Sequence, residues 1–154
     1  MMNHEFYYSE LSENPSYDYD YSLYYKKVAD VSLHDNLIQY FGDSLAWVPS
    51  HNPSKKMEDQ MGLNGYGVTT VKSGGAQKLH DILRAWSALF KVSPQRLKLT
   101  GEYGWTCGED PEKGAYDKLE FDRDTLVGSL DLLADMCSKV AKSNDRAFLM
   151  HFGL

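Results

Sequence analysis

Residues 66–94, YGVTTVKSGGAQKLHDILRAWSALFKVSP, decide the fold because they predict a strand, a tight turn and an amphipathic helix in direct succession. The β-branched side chains of residues 68–71 favour an extended strand, which the Ser-Gly-Gly sequence at 73–75 ends. Apolar residues then recur at three- and four-residue intervals, as on one face of a helix, until Pro94 closes the element. That apolar face comprises Ala76, Leu79, Ile82, Leu83, Trp86, Leu89 and Phe90.

The chain after Pro94 predicts a hairpin. Apolar and polar residues alternate over residues 96–103 and again over residues 116–121, which indicates two paired strands. In the first strand Leu97 and Leu99 would face one side of the hairpin. The loop between the strands, residues 104–114, is long and rich in glycine.

A second helix and a last strand complete the chain. Residues 126–141 repeat apolar side chains at helical spacing, and Asp122 or Asp124 can cap the start of this helix. Residues 146–152 form an apolar run of strand length.

Patterns before residue 66 are weaker. Residues 32–41 predict a short helix that Gly42 ends, and residues 47–67, with Pro49, Pro53 and several glycines and asparagines, predict a loop.

The predicted order from residue 66 onward is strand, helix, strand, strand, helix, strand. This order describes an α+β fold, a ferredoxin-like βαββαβ sandwich over about residues 66–152, with both helices on one face of an antiparallel sheet. We therefore expect a single domain over residues 1–154. Residues 1–31 would form an acidic, tyrosine-rich arm or edge strand, residues 32–65 a helix and a loop, and residues 66–154 the sandwich core.

Almost all of the net charge of −6 lies in the first 25 residues. This segment holds five carboxylates, seven of the eleven tyrosines and no lysine or arginine, whereas residues 26–154 have a net charge of only −1. Tyrosine offers contact area at low entropic cost, and carboxylates attract a basic partner, so the composition favours a protein-binding surface. It disfavours direct binding to nucleic acid.

Tyrosine and aspartate alternate within residues 16–23. One interpretation is an amphipathic edge strand that packs its tyrosines inward, and the other is a surface for a partner, and a strand can serve both purposes. The candidate partner-binding residues of the N-terminal segment are Glu13, Tyr17, Asp18, Tyr19, Asp20 and Tyr21.

The loop of the predicted hairpin supplies a second acidic and aromatic patch. Trp105 is accompanied there by Glu109, Asp110 and Glu112, an arrangement typical of an aromatic anchor with a polar rim. The alternative is that Trp105 packs over the edge of the sheet. These four residues are added to the candidate partner-binding set.

Two features could carry chemistry, but each has a simpler explanation. The turn at residues 73–75 could hold a phosphate with its backbone amides, but it lacks the lysine and glycine spacing of known nucleotide motifs. Cys107 could be a nucleophile if His80 or His151 lay beside it; otherwise it is an ordinary loop thiol.

The sequence predicts no metal and no cofactor. The five histidines are scattered without the spacing of a metal-binding pair, and the acidic loop residues lack the pattern of a calcium site. Cys107 and Cys137 are expected to be free thiols. The sequence has no apolar run of membrane-spanning length and no signal-peptide pattern at its start, so we expect a cytoplasmic protein with no membrane partner.

An acidic α+β domain of this kind, without a catalytic set, resembles the immunity proteins that bacteria encode beside polymorphic or contact-dependent toxins. The stretches reminiscent of such proteins are GYGVTT at 65–70, LTGEY at 99–103 and HFGL at 151–154. The resemblance implies a non-catalytic inhibitor that binds a cognate protein toxin, often a basic nuclease, and blocks its active site or an essential surface. Carboxylates would then stand in for substrate phosphates, and tyrosines would supply the buried anchors.

Two other functions remain open from the sequence. One is a small enzyme that uses a cleft between the N-terminal helix, the Gly74-Gly75 turn and the Cys107 loop. The other is a regulatory domain that binds a small ligand on the open face of its sheet.

Overall fold

The computed structural model of the chain describes residues 2–11 and 25–154. Within these residues a short 3-10 helix at Pro53–Lys55 joins β3 to β4. The strands and helices are, in chain order, β1 (Asn3–Leu11), β2 (Tyr25–His34), α1 (Asp35–Tyr40), α2 (Gly42–Leu45), β3 (Pro49–Asn52), β4 (Glu58–Met61), β5 (Val68–Val71), α3 (Ser73–Lys91), β6 (Arg96–Gly104), β7 (Ala115–Asp122), α4 (Arg123–Ala141) and β8 (Ala147–Phe152).

In the described part of the chain, six strands form an antiparallel sheet in the order β2-β1-β8-β5-β3-β4. Helices α3 and α4 pack against each other, with α4 over β1, β2 and β8 and α3 over β3, β5 and β8. Phe6, Val31, Val71 and Leu149 come from four different strands and lie in the same apolar core as the two helices. The α+β class predicted from the sequence is therefore confirmed.

The ferredoxin-like arrangement is not confirmed. Strands β6 and β7 pair only with each other and form a separate two-stranded sheet. Such a sandwich needs the hairpin beside β5, but β3 pairs with the free edge of β5, and β1 pairs with the free edge of β8. Both edges of the central β5–β8 pair are thus occupied by strands from the first 65 residues.

Those first residues are where the sequence predictions were least accurate. Residues 3–11 form an inner strand of the sheet between β2 and β8, whereas β2, which begins at Tyr25, lies at an edge of the sheet in the described part of the chain. The predicted helix at 32–41 begins only at Asp35, because Leu33 continues the buried face of β2 and His34 caps the helix. The predicted loop at 47–67 contains strands β3 and β4, whose polar sequences hide the usual alternation.

The strands and helices predicted after residue 66 are confirmed as local structure. Contacts near the starts of α3 and α4 show what fixes these two helix ends. Asp122 accepts a hydrogen bond from the backbone N–H of Thr125 at 2.9 Å and so caps α4. Gly75 lies where α3 meets β3, and a Cβ there would come within 2.0 Å of the Pro49 carbonyl oxygen. Among the described helices, none, including the 19-residue α3 and α4, is long and apolar enough to cross a membrane.

Candidate functional site

The far end of the β6–β7 hairpin presents three aromatic side chains to solvent. Tyr103 and Tyr116 lie directly opposite each other, with ring centroids 5.2 Å apart in edge-on contact. Trp105 meets the Tyr103 ring at 6.1 Å, also edge-on. The exposed fractions are 52% for Tyr103, 60% for Trp105 and 59% for Tyr116. These three residues are called the aromatic face.

A β-bulge creates this face. Thr100 pairs with Lys118, but Tyr103 pairs with Tyr116, so β6 has one residue more than β7 in this interval. Strict alternation would have placed Tyr103 on the buried side with Leu97. The extra residue turns Tyr103 to the solvent side instead, where the Tyr116 ring contacts it edge-on.

Acidic residues surround the aromatic face. Residues 101–117 contain five carboxylates and one basic residue, Lys113, for a net charge of −4. The loop is held in shape by the Tyr103 hydroxyl, which donates to the Lys113 carbonyl oxygen at 2.6 Å. Asp110 lies 3.7 Å from the Lys113 ammonium group and accepts the Glu112 backbone N–H at 3.0 Å.

The structure places the sequence-predicted residues in two groups. Trp105, Glu109, Asp110 and Glu112 are all exposed on the hairpin loop, and Trp105 contacts the Tyr103 ring of β6. The predicted residues of the N-terminal segment, Glu13, Tyr17, Asp18, Tyr19, Asp20 and Tyr21, lie outside the described residues. Tyr103 and Tyr116 were not predicted as site residues, because the bulge that exposes them leaves no signal in the alternation.

A groove of about 300 Å³ separates the other side of the hairpin from α1. Of the described residues, α1 contributes Asn36, Gln39 and Tyr40 to its walls, and the hairpin contributes Thr100, Gly101, Glu102, Cys107, Asp117 and Leu119. The N-terminal helix and the Cys107 loop therefore do form a cleft, as the enzyme hypothesis requires. The Gly74-Gly75 turn does not line it.

The described residues that line the groove give Cys107 no histidine partner. It is exposed, and its sulfur lies against Gly104. No histidine is among the described residues that line the groove. His80 is bound to Asp81 on α3 at 3.0 Å, and His151 is fully buried in the core. A thiol nucleophile is usually activated by an adjacent base, so this arrangement gives the enzyme hypothesis no support.

The structure also brings together two histidines that are 147 residues apart. His4 on β1 and His151 on β8 lie under the helices, with His4 Nδ1 2.7 Å from His151 Nε2. His4 Nε2 is 2.9 Å from Asp35 Oδ1, and Gln39 donates to the other Asp35 oxygen at 2.6 Å. His4 and His151 are called the buried histidine pair.

Protons can be assigned along this chain of contacts. Both Asp35 oxygens accept hydrogen bonds, so His4 Nε2 carries a proton, and one further proton is shared between the two rings. His151 Nδ1 faces the Thr69 hydroxyl at 3.5 Å. Burial, followed by the charge of His4, lowers the pKa of His151 to about 3.

The buried histidine pair supports the core and does not form a reaction site. Both rings and Asp35 are buried, with exposed fractions of 1%, 0% and 6%, so no substrate in solution reaches them. Asp35, His4 and His151 form a linear series of contacts and do not point at a common centre. Among the described residues, no group of three or more histidine, cysteine, aspartate or glutamate side chains is placed to hold a metal ion.

At the turn of residues 73–75, the first backbone amide of α3 already has a partner. The Ser73 backbone N–H donates to a carboxylate oxygen of Asp145 at 3.0 Å, so the start of α3 already has an anionic partner. The Asp145 N–H in turn donates to the Ser73 hydroxyl at 2.9 Å. The hydrogen bond that the Asp145 carboxylate accepts from the Ser73 backbone N–H lowers the pKa of Asp145, although partial burial acts in the opposite direction. The structural interpretation of the turn is therefore favoured.

The third hypothesis from the sequence, a ligand on an open face of the sheet, meets an obstacle. Phe148 and Met150 on β8 and Thr70 on β5 point away from α3 and α4 by alternation, yet their exposed fractions are only 6%, 3% and 0%. The centre of that face is covered. Comparison with protein-family models, curated protein sequences and solved structures gives no significant match to this chain.

Proposed function

We propose that the protein is a non-catalytic inhibitor that binds a basic protein through the hairpin, in the manner of an immunity protein that neutralises a cognate toxin. The observation that carries this proposal is the aromatic face itself: three rings, of which Trp105 and Tyr116 both contact Tyr103, each more than half exposed, within a segment of net charge −4. A bacterial toxin with nuclease activity is the partner class that fits best, because a nucleic-acid-binding surface is basic.

The energetics of the aromatic face favour binding over a structural role. Clustered apolar surface costs free energy when it faces water, and contiguous exposed apolar patches typically mark interaction sites. Tyrosine and tryptophan are enriched among interface residues whose truncation costs about 2 kcal/mol or more. Of the Tyr103 hydroxyl, the Trp105 indole N–H and the Tyr116 hydroxyl, the first alone has a hydrogen bond to another described residue, the Lys113 carbonyl oxygen.

The surrounding carboxylates give the interface its charge preference. Exposed carboxylates contribute little to stability but accelerate association with a basic partner at low salt. The N-terminal 25 residues contain five further carboxylates. Outside the two acidic segments, residues 1–25 and 101–117, the remaining 112 residues have a net charge of about +3. The protein thus concentrates its negative charge in these two segments of the sequence. The proposed place of action is the cytoplasm, where a nuclease toxin would act.

Trp47 offers a matched control for a test of this proposal. It is as exposed as Trp105, at 59% against 60%, but lies between α2 and β3. The tagged full chain, a Trp105→Ala/Tyr116→Ala variant and a Trp47→Ala variant are used to capture proteins from the source lysate, including products of adjacent genes. We expect one stoichiometric basic partner with the wild type and Trp47→Ala, and its loss with the hairpin variant.

The inhibitor part of the proposal is tested with that partner expressed in a susceptible host. Co-expression of the wild-type chain should restore growth, and the hairpin variant should not. A partner that binds all three proteins equally, or one whose expression does not impair growth, would contradict the proposed function.

A further inference from the structure

The groove between α1 and the hairpin is lined by hydrogen-bond acceptors. Glu102 lies in the bulge of β6, and Asp117 lies on β7 beneath Gly101. A Cβ at position 101 would come within 3.1 Å of the Asp117 Cβ, so the glycine keeps the space above this carboxylate open. Among the described residues, the side-chain carboxylates of Glu102 and Asp117 have no ion pair and no hydrogen bond.

The opposite wall supplies polar groups of the same kind. The Gln39 amide nitrogen is committed to Asp35 at 2.6 Å, which leaves the Gln39 amide oxygen free to accept. Asn36 adds a second side-chain amide, and Tyr40 adds a partly exposed ring. No lysine or arginine is among the described residues that line the groove.

We propose that this groove receives an arginine side chain of the basic partner. Two carboxylates and a carboxamide oxygen on opposing walls match a planar cation with five N–H donors better than a point charge. The volume of about 300 Å³ is at the small end of ligand pockets, which suits one side chain and not a whole cofactor. This inference rests on the proposed function and assigns the partner group that enters the groove.

Cys107 serves as a built-in reporter of occupancy because it lines the groove and is exposed. Its alkylation by uncharged iodoacetamide is followed by mass spectrometry with and without agmatine, a free guanidinium compound. Cys137 is fully buried in the core and reports any unfolding in the same sample. We expect agmatine to slow alkylation of Cys107 several-fold, while sodium chloride at equal ionic strength does not.

Two variants separate a specific site from general negative charge. Glu102→Gln/Asp117→Asn removes both groove carboxylates, and Glu109→Gln/Glu112→Gln removes the same charge from the exposed loop outside the groove. We expect the first variant to lose protection by agmatine and the second to retain it. Absence of protection in the wild type, or equal protection in both variants, would overturn the proposal.

The partner itself distinguishes failure of this inference from failure of the proposed function. The groove variant is expected to bind the captured partner at least about tenfold more weakly, as for truncation of one side of a buried charge pair. If Trp105→Ala weakens binding but the groove variant does not, the arginine site is wrong and the proposed function stands. If neither variant affects binding, both are wrong.

Discussion

Acid should destabilise this protein through His151. In the folded chain burial holds the pKa of His151 down to about 3, against 6.5 for an ordinary histidine. Below pH 6.5 the His151 ring is therefore protonated in the unfolded chain but not in the folded chain. Stability falls as the pH drops below about 6.5 and continues to fall until about pH 3, because the unfolded state binds more protons throughout that interval.

The magnitude follows from the size of the shift. Each pKa unit corresponds to about 1.4 kcal/mol, so a pH of 5.0, about 1.5 units below the unfolded value, should cost about 2 kcal/mol. The full shift would cost about 5 kcal/mol at pH 3, a large share of the stability of an ordinary domain. The cause lies in the structure: a second proton on His151 would put a charge in a buried site beside the His4 ring, and among the described residues no carboxylate is in hydrogen-bond contact with His151.

Urea unfolding at pH 7.5 and 5.0 tests this prediction on the wild type, on His151→Gln and on His80→Gln. Histidine 80 lies outside the buried pair and serves as the matched control. At pH 7.5, His151→Gln should lose about 1–3 kcal/mol because His4 loses its partner. Its further loss between pH 7.5 and 5.0 should be about 2 kcal/mol smaller than that of the wild type or His80→Gln.

Parallel losses in all three proteins would refute the reasoning. So would an NMR titration in which the His151 ring of the folded protein gains a proton near pH 6.5.

Four further substitutions test the contacts at the start of α3. Gly75→Ala should destabilise the fold by about 1–3 kcal/mol or more in urea unfolding, because its Cβ would collide with the Pro49 carbonyl oxygen. Gly74→Ala is the matched control, with no atom within 4 Å of its Cβ, and should be neutral or slightly stabilising. Asp145→Ala should cost about 1 kcal/mol through loss of the hydrogen bond from Ser73, and Asp145→Asn should cost less, since asparagine keeps an acceptor and tolerates the left-handed backbone at φ 59°. Equal effects of the two glycine variants, or of the two Asp145 variants, would contradict these contacts.

Elements that depend on neighbouring residues were predictable from the sequence. The period of the apolar residues in α3 and α4 gave both helices, and the alternation around Leu97 and Phe121 gave the hairpin. Asp122, which caps α4, was one of the two capping residues predicted from the sequence. It could be predicted because a short acidic side chain before a helical pattern satisfies the first amides of the helix. These signals act over a few residues and survive in any tertiary arrangement.

The partners of each strand were not predictable, because they depend on distant segments. Nothing in residues 3–11 indicates that they pair with β8, so His4 and His151 gave no sign of their contact. Strands β3 and β4 are held by backbone pairing and by contacts such as the Ser50 hydroxyl to the Gly62 carbonyl oxygen at 2.5 Å, not by an apolar pattern.

The candidate site was predictable only in composition. Trp105 and the acidic residues of the loop could be selected because aromatic and carboxylate side chains occur together there. The exposure of Tyr103 and Tyr116 depends on one extra residue in β6, and a bulge cannot be located by counting alternate positions. The groove depends on α1 lying opposite the hairpin, which is a property of the tertiary fold alone.

The most direct test of the central claim is the dissociation constant of the captured basic partner for the wild-type chain, Trp105→Ala and Trp47→Ala, measured by calorimetry at low and high salt. The account predicts that Trp105→Ala weakens binding by about 2 kcal/mol, roughly 30-fold, that Trp47→Ala binds like the wild type, and that salt weakens all complexes. Equal affinities for Trp105→Ala and Trp47→Ala, without dependence on salt, would contradict it.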